Sequence, residues 1–407
     1  MIDRRLFLQQ SGFSGLGTSL AGAVAIPGLA VASAPSESRL IVIVLRGALD
    51  GLHALVPYTD RDYRRLRPAL ALPPPKSAGG VLDLDDGFGL HSALAPLLPL
   101  YQANELLPIP AVATRYRRRS HFDGQNVLES GSGKPFGARD GWLNRAITGL
   151  NAGDLRLGLG LGPAVPLILQ GEARIQTWAQ STLPAVDEDF LARLAFTYEA
   201  DPLFRQALED ARSAPDPPNA MSGGMQNRGK YTPRGKECGK AAAAAATFLA
   251  SSAGPRIAVI EAQGWDTHFA QERRLKKLLG QLAKGIISLR DGLGDAWHRT
   301  AIVVVSEFGR TAAENGTRGT DHGTGGLGIL AGGAIRGGKI GGKWPGLSPT
   351  GLYQNRDLRP TTNLESIFKS ALIDHMGLEQ SFVEDTVFPD SRSIAPLSGI
   401  FRRFSSS

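Results

Sequence analysis

The sequence predicts an α/β fold with a mostly parallel central sheet flanked by helices, and three observations carry that expectation. Arg39-Leu-Ile-Val-Ile-Val-Leu45 is a continuous β-branched run, the pattern of a strand buried on both faces of a parallel sheet. Arg256–Glu261 and Thr300–Ser306 are two more such runs. Between them Leu275, Leu278, Leu279, Leu282, Ile286, Leu289 and Leu293 recur at helical spacing across 269–297. Strand, helix, strand in that order predicts a right-handed parallel crossover.

The remaining elements follow in chain order. Leu106–Val112 reads as a further strand, interrupted by Pro108 and Pro110. Residues 213–240 are rich in Gly, Pro, Lys and Asn without periodicity and read as an exposed loop or linker, after which Ala241–Ala246 begins a helix. No internal repeat is visible, and strands fall on both sides of the linker, so 33–407 reads as one domain with insertions.

Composition narrows the function classes. Of 407 residues 42% are hydrophobic, which excludes a wholly disordered chain. The 50 Gly and 26 Pro show no Gly-X-Y period, which excludes collagen, and one Cys excludes a disulfide framework or a Cys-based zinc cluster. The net charge of +7 is a mild basic bias that reads as surface composition. The Arg cluster at 115–119 lacks aromatic interleaving, so no nucleic-acid partner is expected.

Residues 1–32 have the layout of a signal peptide: Arg4-Arg5-Leu6-Phe7-Leu8, an apolar Gly/Ala-rich stretch from Phe13 to Val31, and the small residues Ala30-Val31-Ala32. The Arg pair resembles the bacterial twin-arginine signal. That resemblance implies export of the folded protein by the twin-arginine translocase and a periplasmic or secreted location. An uncleaved anchor is the alternative, but the Gly-rich composition and Pro27 make the stretch a poor spanning helix, so no stable membrane anchor is expected.

In open α/β sheets ligands bind outside the carboxyl ends of the strands. Arg46-Gly-Ala-Leu-Asp50 follows the first run, Gly264-Trp-Asp266-Thr-His268 the second, and Glu307-Phe-Gly-Arg310 the third, with Asp321-His322 further on. Carboxylates and imidazoles gathered at one sheet edge are what a divalent metal needs. Taken singly, each Asp has a plainer reading as a turn or cap residue. Arg119-Ser120 marks a helix start, where Ser120 is either a metal-activated nucleophile, with Arg119 holding an anion's oxygens, or simply the N-cap. Gly323-Thr-Gly-Gly-Leu-Gly328 follows no strand and so fails the nucleotide-binding context, and Gly158-Leu-Gly-Leu-Gly162 lacks the third spacing.

Leu45–Leu52, Arg119–Phe122, Gly141–Arg145, Ser306–Thr311 and Thr320–Gly323 together resemble the DUF1501 family, exported bacterial proteins placed in the alkaline phosphatase/sulfatase-like superfamily. The resemblance runs from about Leu40 to Leu397 and implies one or two divalent metals, often zinc. It implies Asp50, Asp266, His268, Glu307, Asp321 and His322 as ligands or ligand supports, Ser120 as nucleophile, and Arg119 and Arg310 as holders of the non-bridging oxygens. Phe308 stands where that superfamily places a His ligand, and Phe cannot bind metal. One metal, recruitment of His53 or His121, or a fold kept without the reaction are the readings this leaves. The expectation is a metal-dependent hydrolase or transferase for a small phosphate or sulfate ester. Its rival is a non-catalytic periplasmic binding or assembly protein with a structural metal.

Overall fold

The run at Arg39–Arg46 forms the middle of the sheet, and its side chains explain why helices cover both faces. Ile41, Ile43 and Leu45 join one apolar cluster with Leu275, Leu279, Leu282 and Ile286. Leu40, Val42 and Val44, pointing the other way, join a second cluster with Trp142, Leu143, Ile367 and Phe368. The computed structural model describes residues 37–150, 157–179, 188–213, 237–252 and 254–402.

The main elements are β1 (Arg39–Arg46), β2 (Leu106–Ala113), α1 (His121–Ser130), α2 (Trp142–Leu150), β3 (Gly158–Leu161) and β4 (Ile175–Trp178). They continue with α3 (Glu188–Tyr198), α4 (Pro202–Ser213), α5 (Glu237–Ala250), β5 (Ile257–Gln263), α6 (Gln271–Leu293) and β6 (Thr300–Val305). The last are β7 (Gly326–Ala331), β8 (Thr362–Asn363) and α7 (Leu364–Ser370). The eight strands form one sheet in the order β8-β2-β7-β6-β1-β5-β3-β4. β1 pairs in parallel with β5 and β6, as the sequence predicts for such buried runs. β3 pairs in parallel with β4 and β5; β3 and β4 are strands the sequence did not predict. Only β7 runs antiparallel, against both β2 and β6.

The prolines in β2 are tolerated for a geometric reason. Pro108 and Pro110 share one side of the strand, and the Pro108 carbonyl on that side accepts from Gly341 N–H at 2.8 Å, in a loop. Their missing N–H groups therefore face away from β7, where no ladder bond is lost. Residues 32–407 cluster as one unit; the signal-like segment and most of the 213–240 stretch lie outside the described residues. Among the described residues no helix is long and apolar enough to cross a membrane.

His375 is buried in the helical face of the core, its Nε2–H donating to the Arg39 carbonyl at 2.9 Å while Nδ1 has no partner. Burial pushes its pKa down to about 4 from an ordinary 6.5. Between those two values the unfolded chain takes up a proton that the folded chain refuses. Stability is therefore full above about 6.5 and falls as pH drops toward 4, by on the order of 3 kcal/mol from this one group. Urea titrations of wild type and His375→Phe across pH 7 to 4 check this. The variant is expected to show the shallower pH slope.

Candidate metal centre

Four chain segments converge because of how the strands run. β1, β2, β5 and β6 all end at one edge of the sheet, and β7, running the other way, begins there. The residues after β2, β5 and β6 and the loop before β7 thus share a crevice. Gly47 makes the closest approach possible. At φ +116° it takes a conformation that suits glycine, and a Cβ there would stand 2.4 Å from the Asp266 nitrogen.

Asp266 Oδ1 is the focus of this crevice. His268 Nε2 lies 3.0 Å from it, His322 Nε2 3.3 Å and His121 Nε2 3.6 Å, while buried Arg310 donates to it at 2.5 Å. The candidate ligand atoms of His121, Asp266 and His322 all fall within 4.8 Å of one another. His268 Nε2 sits 3.0 Å from His322 Nε2, beside that group, and is the candidate for a fourth donor.

Each ring has a partner on its far side. His121 Nδ1 faces Glu307 Oε1 at 2.6 Å, His268 Nδ1 faces Asp321 Oδ1 at 3.1 Å, and His322 Nδ1 faces the Arg119 carbonyl at 3.0 Å. All three partners are acceptors, so each Nδ1 can hold the proton and leave its Nε2 lone pair to a cation; without one, the Nε2 atoms of His268 and His322 face the Asp266 oxygen, itself an acceptor. Two consequences follow for a chain without a cation. The Nε2 of His121 is buried with no hydrogen-bond partner, and the Nε2 atoms of His268 and His322 sit 3.0 Å apart beside one shared carboxylate oxygen. A divalent cation with nitrogen and oxygen ligands relieves both, and histidines backed by carboxylates or carbonyls are the usual form of such sites. The residues present fit the ion.

Charge around the focus is balanced by burial and pairing. Burial raises the Asp266 pKa, but the Arg310 hydrogen bond and charge outweigh it and hold the carboxyl below its ordinary value. The Glu307 carboxyl is likewise held low: burial works against ionisation, and the His121 hydrogen bond overcomes it. Burial, then His121 and Arg310, push His322 down, whereas for His121 the Glu307 contact outweighs burial and pushes it up.

Several expected ligands turn out to be supports. Glu307 is fully buried and its Oε1 accepts from Gly47 N–H, His121 and Gln125, so it orients His121. Asp321 orients His268. Phe308, where a ligand was expected, stacks on the His121 ring at a centroid distance of 5.0 Å. Asp50 is not brought into the cluster. Its buried carboxylate takes a two-pronged bond from Arg67, at 2.7 and 3.0 Å, and a third from Gln271 at 2.6 Å. Arg310 is buried and gives its guanidinium to the carbonyls of Ala48, Thr320 and Gly47 as well as to Asp266, so it is not presented to a substrate anion. Arg119 is committed to Asp357 and Gln354; what it contributes is its carbonyl, aimed at His322 from a left-handed φ of +63°. Ser120 is the N-cap of α1, its Oγ accepting from Asp123 N–H at 3.5 Å. His121, which the sequence offered only as an alternative recruit with His53, sits at the centre of the cluster. Its place directly after a cap at the end of a strand was the available signal.

The Ser120 hydroxyl has one rotamer for one task. Ser120→Ala is therefore expected to lower stability by about 1 kcal/mol and leave metal content unchanged. Urea unfolding together with metal analysis checks both halves.

A mostly parallel α/β sheet with three imidazoles and a carboxylate gathered at its carboxyl edge defines a class of candidate metalloproteins. Within that class the chain belongs to the DUF1501 family, described as a protein family of unknown function, whose profile matches residues 109–387. The matched span holds every residue of the cluster and leaves out β1 and Asp50. No curated protein matches the chain. Among solved structures, Ps i-CgsB is similar at a TM-score of 0.41 and 11% identity, over 88% of this chain and 77% of that one. A mutant TAB5 alkaline phosphatase with Mg bound is similar at 0.35 and 12%, over 74% and 91%. Phosphonate monoester hydrolase of Agrobacterium radiobacter is similar at 0.35 and 12%, over 83% and 74%.

Proposed function

We propose that the chain is an exported, metal-dependent hydrolase acting on a phosphate or sulfate ester, built around one divalent ion, zinc being our choice. The observation that supports this reading is the convergence of three Nε2 atoms on Asp266, each imidazole held from behind. His121, Asp266 and His322, with His268 as the fourth donor, would hold the ion. Bound there, it would supply Lewis-acid polarisation of the ester's oxygens.

The protein's own part is to fix and expose that site. Glu307, Asp321 and the Arg119 carbonyl hold the three rings, and Arg310 holds Asp266. Asp266 and His268 remain 45% and 40% exposed, so an ester can reach them from solvent. In this reading water supplies the attacking oxygen, because the Ser120 hydroxyl is occupied as a cap. Phe308, packed on His121, supports one metal over two.

Metal analysis of purified protein and a panel of aryl phosphates and sulfates test the proposal. About one divalent ion per chain is expected, with turnover that Asp266→Asn abolishes while the fold survives. Metal at full occupancy without turnover on any ester would favour a binding protein with a structural ion. Export is tested separately: Arg4→Lys with Arg5→Lys should leave precursor in the cytoplasm, and normal export of that double variant would refute the twin-arginine reading.

A further inference from the structure

Large apolar side chains exposed among the described residues fall into two groups, and one borders the cluster. Phe190, Phe196, Leu203 and Phe204 lie on α3 and α4, while Phe122, Phe136 and Phe269 are 73%, 58% and 61% exposed. Phe122 directly follows His121, and Phe269 directly follows His268. Those two histidines approach the same Asp266 oxygen, at 3.6 and 3.0 Å, and neighbouring Cα atoms are only about 3.8 Å apart. Both phenylalanines therefore spring from backbone anchored at the crevice rim.

These rings are held in place. Phe136 has a left-handed φ of +56°, a conformation costly for a bulky side chain. Its N–H is gripped by the Asn126 side chain at 2.6 Å, and its ring meets Phe122 at a centroid distance of 5.3 Å. Phe269 carries the Arg274 guanidinium 4.8 Å from its ring centre. Backbone strain that places an exposed apolar ring beside a reactive centre points to a ligand for that ring. Inside the cluster the inward-facing groups are the candidate metal donors, so contacts to the rest of a substrate are left to the rim.

We propose that Phe122, Phe136 and Phe269 form a recognition platform for a flat apolar ring on the leaving-group side of the substrate, so that the preferred esters are aryl esters. This rests on the metal-dependent reading above. Stacking on a fixed ring places the ester linkage beside Asp266 and rejects small alkyl esters, which bring no surface to bury.

Phenylphosphonate and methylphosphonate, which carry a carbon–phosphorus bond in place of the ester linkage, are the probes, titrated calorimetrically into zinc-loaded protein. The phenyl compound is expected to bind roughly tenfold tighter. In Phe122→Ala the preference should fall to within about threefold, and Phe269→Ala should reduce it in part, with methylphosphonate affinity and zinc content unchanged in both. Equal binding of the two phosphonates to wild type, or a preference that survives both substitutions, would overturn the platform while leaving the metal reading in place. If neither phosphonate binds zinc-loaded protein, the underlying ester-hydrolase reading fails along with the platform.

Discussion

Alanine at His322 is expected to remove tight divalent-metal binding, and glutamine at Glu307 to weaken it by about 10–100-fold, with the fold retained in both. The two losses have different origins. His322 offers its own ring nitrogen beside Asp266 and His268, so its removal takes one of the four donors and breaks up the mutually close group of His121, Asp266 and His322. Glu307 meets His121 at Nδ1, across the ring from the Nε2 that faces Asp266. It is fully buried, accepts three hydrogen bonds on Oε1, and keeps the proton on His121 Nδ1 by its negative charge. Glutamine preserves the shape and some of those bonds but loses the charge that makes the imidazole a strong donor. Competition against a chromophoric chelator measures both affinities. If Glu307→Gln binds metal as tightly as wild type, then the carboxylate is only a packing element and His121 is not among the ligands.

Much of the sheet was legible because β-branched runs have one stable fate. β1, β5 and β6 lie where their composition puts them, and the buried face of α6 is the predicted leucine stripe. β3 and β7 were not legible. Gly158-Leu-Gly-Leu and Gly326-Leu-Gly-Ile-Leu-Ala alternate with glycine and look like loops or nucleotide motifs, yet both are completely buried strands. Glycine is required opposite the start of β7, at position 309 in the loop after β6, where a Cβ would sit 1.9 Å from the Gly325 carbonyl oxygen. The crevice itself was legible from strand ends, and Asp266, His268 and His322 with it. Roles within it were not, because chain position does not say which way a side chain turns. Asp50 and Glu307 both follow buried strands, and only the fold shows that one meets Arg67 and the other His121.

Arg67→Met is expected to destabilise the protein by about 3–5 kcal/mol while leaving its metal stoichiometry intact. Arg67 is completely buried, and its Nη1 and Nη2 grip the two oxygens of Asp50. Two further donors go to the carbonyls of Ala312 and Thr311, so one guanidinium ties the end of β1 to the loop after β6. Burial alone would raise the Asp50 pKa; the Arg67 charge outweighs it and keeps the carboxylate ionised. Methionine fills similar space but leaves that carboxylate with Gln271 and the Leu52 N–H as its partners. The cost is the unpaired buried charge, so removing the charge as well should recover part of it. Arg67→Met with Asp50→Leu is accordingly expected to be more stable than Arg67→Met alone. Urea unfolding of the three proteins gives the stabilities, and metal analysis of Asp50→Asn gives the decisive control. Loss of the ion in Asp50→Asn would make Asp50 a ligand after all and the Arg67 pair a feature of the metal-free chain. Full metal content, with only stability lowered, fixes Asp50 as half of a structural ion pair beneath the site.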